Sequence, residues 1–392
     1  MSESKSKENV VSSFNRLSCQ YTLQNIFNHL KNINRLQIIR YSKKYQTLLN
    51  KTIKDYADEN QKIIIEIFPA KNKDCKFINI SKKKQSLFHI YFNNNYNEEE
   101  SKRKRITQKD KILKIKVVID KGVESLKGLF YGCKNIKKIN FIKFNNKNIK
   151  NMSEMFSFCS SLTELNLSTI ITKKVKNMSG MFQGCYLLKD LNLSNFNTKN
   201  VKRMDYMFSG CSKLEKVDLS SINTKKVKNM RNMFSNCISL KDINLSNFNT
   251  RKVTNMQNMF ENCSAVKEIN LSNFNTEKVD NMFSMFNGCK SIEKLNLTSF
   301  KASNVGNIGE MFFGCSSLIE LDLSNFNTNT KNQNRTIDKI FTSLNKNFFS
   351  NFKIDDFIYT RDIFKGCSIL EKLSCSDELV IFEYELLKLS NQ

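Results

Sequence analysis

The sequence predicts an α/β solenoid, in which short helical turns alternate with stacked parallel strands, behind a small helical or α/β N-terminal domain. The first observation is a period, because from residue 123 to residue 326 one apolar pattern returns every 26 residues. A fixed period of this length is typical of solenoids, where each copy buries its apolar residues against its neighbours. The second observation is that each copy carries two apolar spacings, one helical and one extended.

Both spacings are visible in the copy that begins at Asn177. Met178, Met181 and Phe182 recur at i, i+3 and i+4, which predicts a helical turn. Leu191 and Leu193 are two residues apart, which predicts a short strand with one buried face. Each copy should therefore form a helical turn, a corner at its cysteine, a strand and a polar corner.

The pattern N-M-x-x-M-F-x-x-C-x-x-L-x-x-L-x-L-S-x-F-x-T-x-x-V-x carries a family resemblance. Its L-x-x-L-x-L core resembles a leucine-rich repeat, and the whole unit resembles the BspA-like repeats, also known as the 26-residue Mycoplasma-type surface-protein repeat. The resemblance covers 123–326 and extends in degraded form to about residue 373. It implies a leucine-rich-repeat solenoid with parallel strands on one face, in a family whose members are often surface or host-contact proteins.

The N-terminal part is predicted to contain a tail and a small domain. Residues 1–17 are polar, so we expect a disordered tail, and 18–105 should form a helical or α/β domain that ends in a charged linker. The apolar runs at 62–68 and 86–92 predict strands, and the charged stretch at 93–111 marks the boundary.

Residues 20–57 carry helical apolar spacing and predict two or three helices. The string L-x-x-I-F-x-x-L followed by L-x-x-I-R-Y-S-K-K-Y-x-x-L-L resembles an F-box, although the usual proline and tryptophan are missing. This resemblance implies a ligase adaptor, with the helices docking the ubiquitin ligase and the solenoid receiving the substrate. The alternative is a helical cap on the solenoid.

The solenoid is predicted to span 106–376, with 112–120 as its first strand. Cys315 and Cys367 are 52 residues apart, which is two periods, so one imperfect copy is expected at 328–360. Residues 377–392 should cap the open end, because terminal repeats need a polar outer surface.

No enzymatic chemistry is predicted. The chain has two histidines, and it lacks a G-x-S-x-G, Walker A or H-E-x-x-H motif. Eight of its twelve cysteines share one repeat position without any C-x-x-C pair, so we expect free thiols filling a corner and no metal site. No cofactor is expected, and the protein should be a monomer.

The predicted location is the cytoplasm, with the cell surface as the alternative that the family resemblance implies. The first residues, MSESKSKENVV, lack the apolar segment of a signal peptide. Nowhere does the sequence approach 18 consecutive apolar residues, so no membrane span is expected.

The outward positions of the strands form the candidate protein-binding face, because solenoids commonly bind partners through such extended surfaces. A hydrogen-bonded structural ladder is the alternative reading of these polar columns. The candidate residues are Glu164, Asn166, Asp190, Asn192, Asp218, Asp242, Asn244, Glu268, Asn270, Asn296 and Asp322.

The formal net charge of +26 predicts a second surface. Basic residues recur around the valine of each copy, and regularly spaced like charges attract nucleic acid or an anionic membrane surface. A solvated lysine-rich surface without a ligand is the alternative. The candidate stripe consists of Lys173, Lys174, Lys176, Lys199, Lys202, Arg203, Lys225, Lys226, Lys228, Arg251 and Lys252.

Overall fold

The computed structural model describes residues 43–48, 61–71, 74–93, 100–326, 362–375 and 378–390. The predicted tail at 1–17 lies outside these residues, and of the helices predicted between 20 and 57 only α1 (Lys43–Leu48) lies within them.

A five-stranded sheet joins the N-terminal strands to the first coils of the solenoid. Its order is β3-β5-β1-β6-β7, with antiparallel pairs up to β6 and a parallel pair between β6 and β7. A separate pair joins β2 to β4, and a 3-10 helix at Lys82–Leu87 precedes β3. The strands are β1 (Ile63–Pro69), β2 (Cys75–Lys76), β3 (Phe88–Phe92), β4 (Arg105–Ile106), β5 (Ile115–Ile119), β6 (Ile136–Phe144) and β7 (Glu164–Asn166).

The strands predicted at 62–68 and 86–92 are confirmed as β1 and β3. The strand predicted at 112–120 exists as β5, but its predicted role as the first strand of the parallel stack is wrong. Strand β5 is antiparallel to both β1 and β3, and the first strand with a parallel neighbour is β6. One sheet therefore crosses the boundary expected at 93–111, and the division into separate units stays a prediction.

Beyond β7 the strand positions continue as short parallel pairs. Strand β8 (Asp190–Asn192) pairs with β9 (Lys216–Asp218), and β10 (Lys294–Asn296) with β11 (Glu320–Leu323). The equivalent residues of the two coils between β9 and β10 are not in strands. Stacking is continued there by a second row of single parallel bridges, one per coil, that runs from Ser125 to Asn307.

The predicted helical turns are wrong in detail, because the methionine half of each coil consists of successive β-turns. Met181 N–H donates to Met178 O at 3.2 Å, and Cys185 N–H donates to Phe182 O at 3.1 Å. The third residues of these turns, Gly180 and Gly184, have φ of 59° and 67°, as type II turns require. A left-handed residue every fourth position prevents a continuous helix.

The core is a set of stacked side-chain rows. Each coil adds one phenylalanine to a row from Phe130 to Phe364, with ring centroids 5.3–5.8 Å apart and nearly parallel planes. The leucine row from Leu167 to Leu323 is also buried, so both predicted ladders are confirmed. Burial of these rows is the main stabilising contribution of the solenoid.

The coil of Cys367 stacks directly on the coil of Cys315, although one imperfect copy at 328–360 was predicted between them. Phe364 stacks directly on Phe312 at 5.8 Å, and Cys367 Sγ donates to Phe312 O at 3.0 Å. Strand β12 (Lys372–Cys375) pairs in parallel with β11. The coil of Cys367 is therefore the direct neighbour of the coil of Cys315, and 328–360 lies outside the described residues.

The last described element is α2 (Glu378–Ser390), which packs at the C-terminal end of the stack. Val380, Tyr384 and Leu387 are buried. The ring of Tyr384 lies edge-on to the ring of Phe364, with the two ring centroids 6.1 Å apart. Tyr384 also donates its hydroxyl to Glu371 O at 2.9 Å. These contacts cover the apolar end of the last coil.

Candidate functional site

The strand face is the surface formed by the outward residues of β6 to β12 and of the equivalent positions in the two coils between β9 and β10. Because side chains alternate along a strand, Leu191 points into the core while Asp190 and Asn192 point outward. All eleven predicted face residues lie on this surface. Asp322 is half-buried and the other ten are exposed.

Asparagine and aspartate on this face hold the turn that follows each strand. Asn192 Oδ1 accepts the Ser194 N–H at 2.9 Å, and Asp218 Oδ1 accepts the Ser220 N–H at 2.9 Å. The hydrogen bonds from Ser220 lower the pKa of Asp218. The same contact recurs at Asn166, Asn244, Asn270, Asn296 and Asp322. One oxygen of each residue is thus engaged within its own coil, and Asn166 Nδ2 also donates to Asn140 Oδ1 of the preceding coil at 2.8 Å.

The neighbouring row of the strand face contains charges of both signs. Lys138 Nζ lies 2.7 Å from Glu164 Oε2, and Lys294 Nζ lies 3.2 Å from Glu320 Oε1. The hydrogen bond from Lys138 lowers the pKa of Glu164. These pairs between stacked coils are consistent with a structural ladder, but exposed ion pairs contribute little to stability.

Toward the C-terminal end, the strand face forms an open groove of about 860 Å³. Its walls come from the coils that contain β10, β11 and β12 and from the coil before them. Glu268, Lys294, Glu320 and Lys372 occupy one row along it, so the sign of charge alternates from coil to coil. Such a surface can bind a polar, charge-patterned segment.

The basic edge is the row of corners around the buried valine of each coil, and it carries the predicted lysine stripe. A buried threonine fixes each corner: Thr198 Oγ1 donates to Asn223 O at 2.9 Å and accepts the Asn223 N–H at 2.7 Å. All the predicted stripe residues are exposed. Arg203 differs from the others, because it lies outside the corner and pairs with Asp205 at 2.8 Å.

The cysteine row is buried, and all described cysteines are free thiols. Cys185 Sγ donates to Phe156 O of the preceding coil at 3.2 Å, and Cys211 Sγ donates to Phe182 O at 3.1 Å. Burial raises the pKa of Cys211 to about 12. The predicted role as a small corner residue is incomplete, because the thiol also binds one coil to the next. Sequence spacing contains no signal for that hydrogen bond.

Sequence reasoning also missed a polar cluster on β3. His89 Nδ1 lies 2.9 Å from Glu100 Oε2, and His89 Nε2 lies 3.0 Å from Asp120 Oδ2. Burial lowers the pKa of His89, but the bonds to both carboxylates outweigh it and raise the pKa overall. The partners are 11 and 31 residues away in sequence, so no local pattern could have identified them.

Within the described ranges, no three His, Cys, Asp or Glu side chains form a group that could hold a metal ion. In those same ranges, no helix is long and apolar enough to cross a membrane. The cytoplasmic and surface locations both stay predictions.

The stacked 26-residue coils and their outward strand face define this protein as a repeat solenoid with parallel strand pairs. The family described as "Mycoplasma protein of unknown function, DUF285" matches residues 107–192, 157–270 and 234–354, which together exceed half of the chain. The chain belongs to this repeat family, and the family predicted from the 26-residue unit is thereby confirmed.

Among solved structures, the chain is similar to a leucine-rich repeat protein from Bacteroides ovatus. The two share 19% sequence identity, the alignment covers 68% of each chain, and the TM-score is 0.32. No curated protein matches the chain.

Proposed function

We propose that this protein is a non-enzymatic interaction scaffold that binds a protein partner through the groove on its strand face. The observation that carries this proposal is the groove itself, which spans four coils and whose outward side chains are polar or charged. Extended strand surfaces of solenoids are suited to partners that bind along many coils at once. The repeat family, whose function is unknown, is compatible with this role.

The partner segment should carry charges of alternating sign. The groove presents Glu268, Lys294, Glu320 and Lys372 in one row, and complementary charges would steer and orient a bound segment. The side-chain amides of Asn270 and Asn296 add hydrogen-bond donors beside that row.

A charge swap tests the proposal without removing an intramolecular contact. The double variant Lys294→Glu, Glu320→Lys keeps an ion pair but replaces the alternating row by two acidic positions followed by two basic ones. We expect quantitative affinity purification with mass spectrometry, from the native organism, to show at least a tenfold loss of the partners that bind the wild-type chain, because like charges would then face each other.

The matched control is Lys138→Glu, Glu164→Lys, which swaps the equivalent pair at the other end of the strand face, outside the groove. It should retain the same partners. Equal recovery by all three proteins would contradict binding in the groove, and loss in both variants would place the contact elsewhere on the strand face.

A further inference from the structure

The basic edge keeps one sign of charge across five successive coils. Its exposed positions contain twelve basic residues and no acidic residue, whereas the sixth coil places Glu277 and Asp280 at the same positions. The twelve residues are Lys147, Lys150, Lys173, Lys174, Lys176, Lys199, Lys202, Lys225, Lys226, Lys228, Arg251 and Lys252.

Main-chain hydrogen bonds join part of this edge from coil to coil. Lys176 N–H donates to Lys150 O at 2.8 Å, Lys202 N–H to Lys176 O at 2.9 Å, and Lys228 N–H to Lys202 O at 3.1 Å. Neighbouring rungs of such a ladder are about 4.8 Å apart. Four ammonium groups are thus attached to consecutive rungs of one fixed ladder.

Carboxylates do not neutralise this row internally. Lys150 pairs with Glu124 at 2.7 Å at the N-terminal end, while Lys174 donates to the neutral amide of Asn148 at 3.0 Å. Within the described part of the chain, the other eleven basic residues have no ion pair. The strand face, by contrast, pairs opposite charges between coils, so the single sign is particular to this edge.

We propose that the basic edge binds the phosphate backbone of double-stranded nucleic acid without reading its sequence, a function beyond the protein contact assigned to the strand face. The twelve basic residues occupy five rungs, which is roughly one cation per 2 Å at about 4.8 Å per rung. Duplex DNA carries about one phosphate per 1.7 Å of its axis when both strands are counted, and about one per 3.4 Å on each strand. Because the edge carries two or three basic residues per coil, a duplex that presents both strands matches it better than an extended acidic peptide, which offers at most one carboxylate per about 3.3 Å.

The surroundings of the edge favour phosphate contacts over other modes of binding. None of its exposed positions is aromatic, so bases of a single strand have no surface on which to stack. Its apolar residues, such as Val175, Val201 and Val227, are buried in the core and cannot enter a lipid layer. Eleven of the twelve basic residues are lysines, which act as point charges rather than as bidentate readers of bases.

Fluorescence anisotropy with a labelled 20-base-pair duplex and the full-length chain tests this proposal. With about five phosphate contacts, we expect the affinity to fall about 500-fold between 50 and 200 mM salt, because each contact releases counterions. Two duplexes of unrelated sequence should bind equally, and the triple variant Lys176→Glu, Lys202→Glu, Lys228→Glu should bind at least about tenfold more weakly.

The matched control reverses three exposed lysines elsewhere on the same coils, with Lys189→Glu, Lys213→Glu and Lys241→Glu. It has the same net charge as the first variant and should bind within about twofold of the wild type at 150 mM salt. The triple variant Lys176→Gln, Lys202→Gln, Lys228→Gln serves as a second variant, which removes the charges without adding new repulsion to the fold. This glutamine variant should also reduce the magnitude of the slope of log affinity against log salt concentration by about three, because three phosphate contacts are lost.

Three results would overturn the proposal. The first is the absence of duplex binding at 50 mM salt, and the second is an equal loss in the edge variant and its control, which would indicate net charge alone. The third is tighter binding to phosphatidylserine vesicles or to polyglutamate than to the duplex, which would assign the edge to a membrane or an acidic protein.

Discussion

At the scale of single residues, the left-handed positions of the turns decide which side chains the coil accepts. Each coil has two such positions, and glycine or asparagine occupies many of them, as at Gly180, Gly184, Asn232 and Asn236. These residue types adopt positive φ at low cost. Phe158, with φ of 57°, is an exception: it is half-buried and contacts the ring of Tyr131 edge-on.

Gly184→Ala should destabilise the protein more than Gly132→Ala. Both glycines have φ of 67°, so the backbone penalty is shared. A Cβ at 184 would lie 2.6 Å from Phe158 Cδ1, whereas a Cβ at 132 meets nothing within 4 Å. We expect an additional loss of about 1–3 kcal/mol in the free energy of unfolding, measured by urea denaturation.

The double variant Gly184→Ala, Phe158→Gly should recover most of that additional loss, because it removes the clashing ring and relaxes a strained position. Equal destabilisation by the two single glycine variants would show that the coils are not packed as described.

The buried thiols should resist alkylation in the folded protein. Burial raises the pKa of Cys133, Cys211 and Cys289 to about 12, so almost no thiolate is present near neutral pH. Cys75 is half-buried and should react with iodoacetamide much faster. Peptide mass mapping before and after denaturation measures this difference. Rapid labelling of Cys211 in the native protein would contradict the burial of the cysteine row.

At the scale of elements, the sequence predicted the repeat unit well but not the type of each element. The i, i+3 spacing of Met178 and Met181 fits a helix and a β-turn equally, because both bring residues three apart together. The feature of the sequence that distinguishes the two is the recurrence of glycine and asparagine at every fourth position, as at Gly180 and Gly184, which indicates β-turns. The 52-residue spacing of Cys315 and Cys367 predicts a copy between them, whereas the two coils are direct neighbours, because a sequence interval does not specify which coils stack.

The strand face was predictable because alternation along a strand fixes which side chains point outward, as Asp190 and Asn192 do. The hydrogen bonds and ion pairs that outward side chains make do not follow from this alternation. Asn192 accepts a hydrogen bond from its own turn, and Glu164 pairs across a coil. The first contact depends on the backbone angles of its own turn and the second on the stacking of neighbouring coils, and the alternation along a strand specifies neither.

The cap helix α2 should respond to pH through Glu383. Burial, with a smaller effect of Asp362, raises the pKa of Glu383 to about 7, above its ordinary value of 4.5. The folded state therefore favours the protonated carboxyl, so this contribution to stability is present below about pH 4.5 and is lost as pH rises through about 7. Thermal unfolding should show that Glu383→Gln stabilises the protein at pH 8 and changes little at pH 4.5.

Glu385→Gln on the same helix is the control, because Glu385 is exposed and pairs with Lys388 at 2.9 Å. It should not stabilise the protein at pH 8. A Glu383→Gln variant with the same melting temperature as the wild type at pH 8 would contradict the raised pKa of Glu383.

At the scale of the whole molecule, the stack separates its charges between two surfaces. The strand face alternates signs and forms the groove, while the basic edge is uniformly positive over five coils. Since every coil repeats the same backbone, the sequence can vary these outward positions without disturbing the buried rows. One core thus supports two surfaces of different chemistry.

Site-specific photo-cross-linking in the native organism tests the central claim, that the groove on the strand face binds a protein, most directly. A benzophenone amino acid replaces Glu268 in the groove in one variant, and Tyr186, an exposed aromatic residue near the cysteine corner, in the other. We predict a discrete protein adduct from position 268 and none from position 186. An adduct from position 186 alone would contradict the claim and place the partner on another surface.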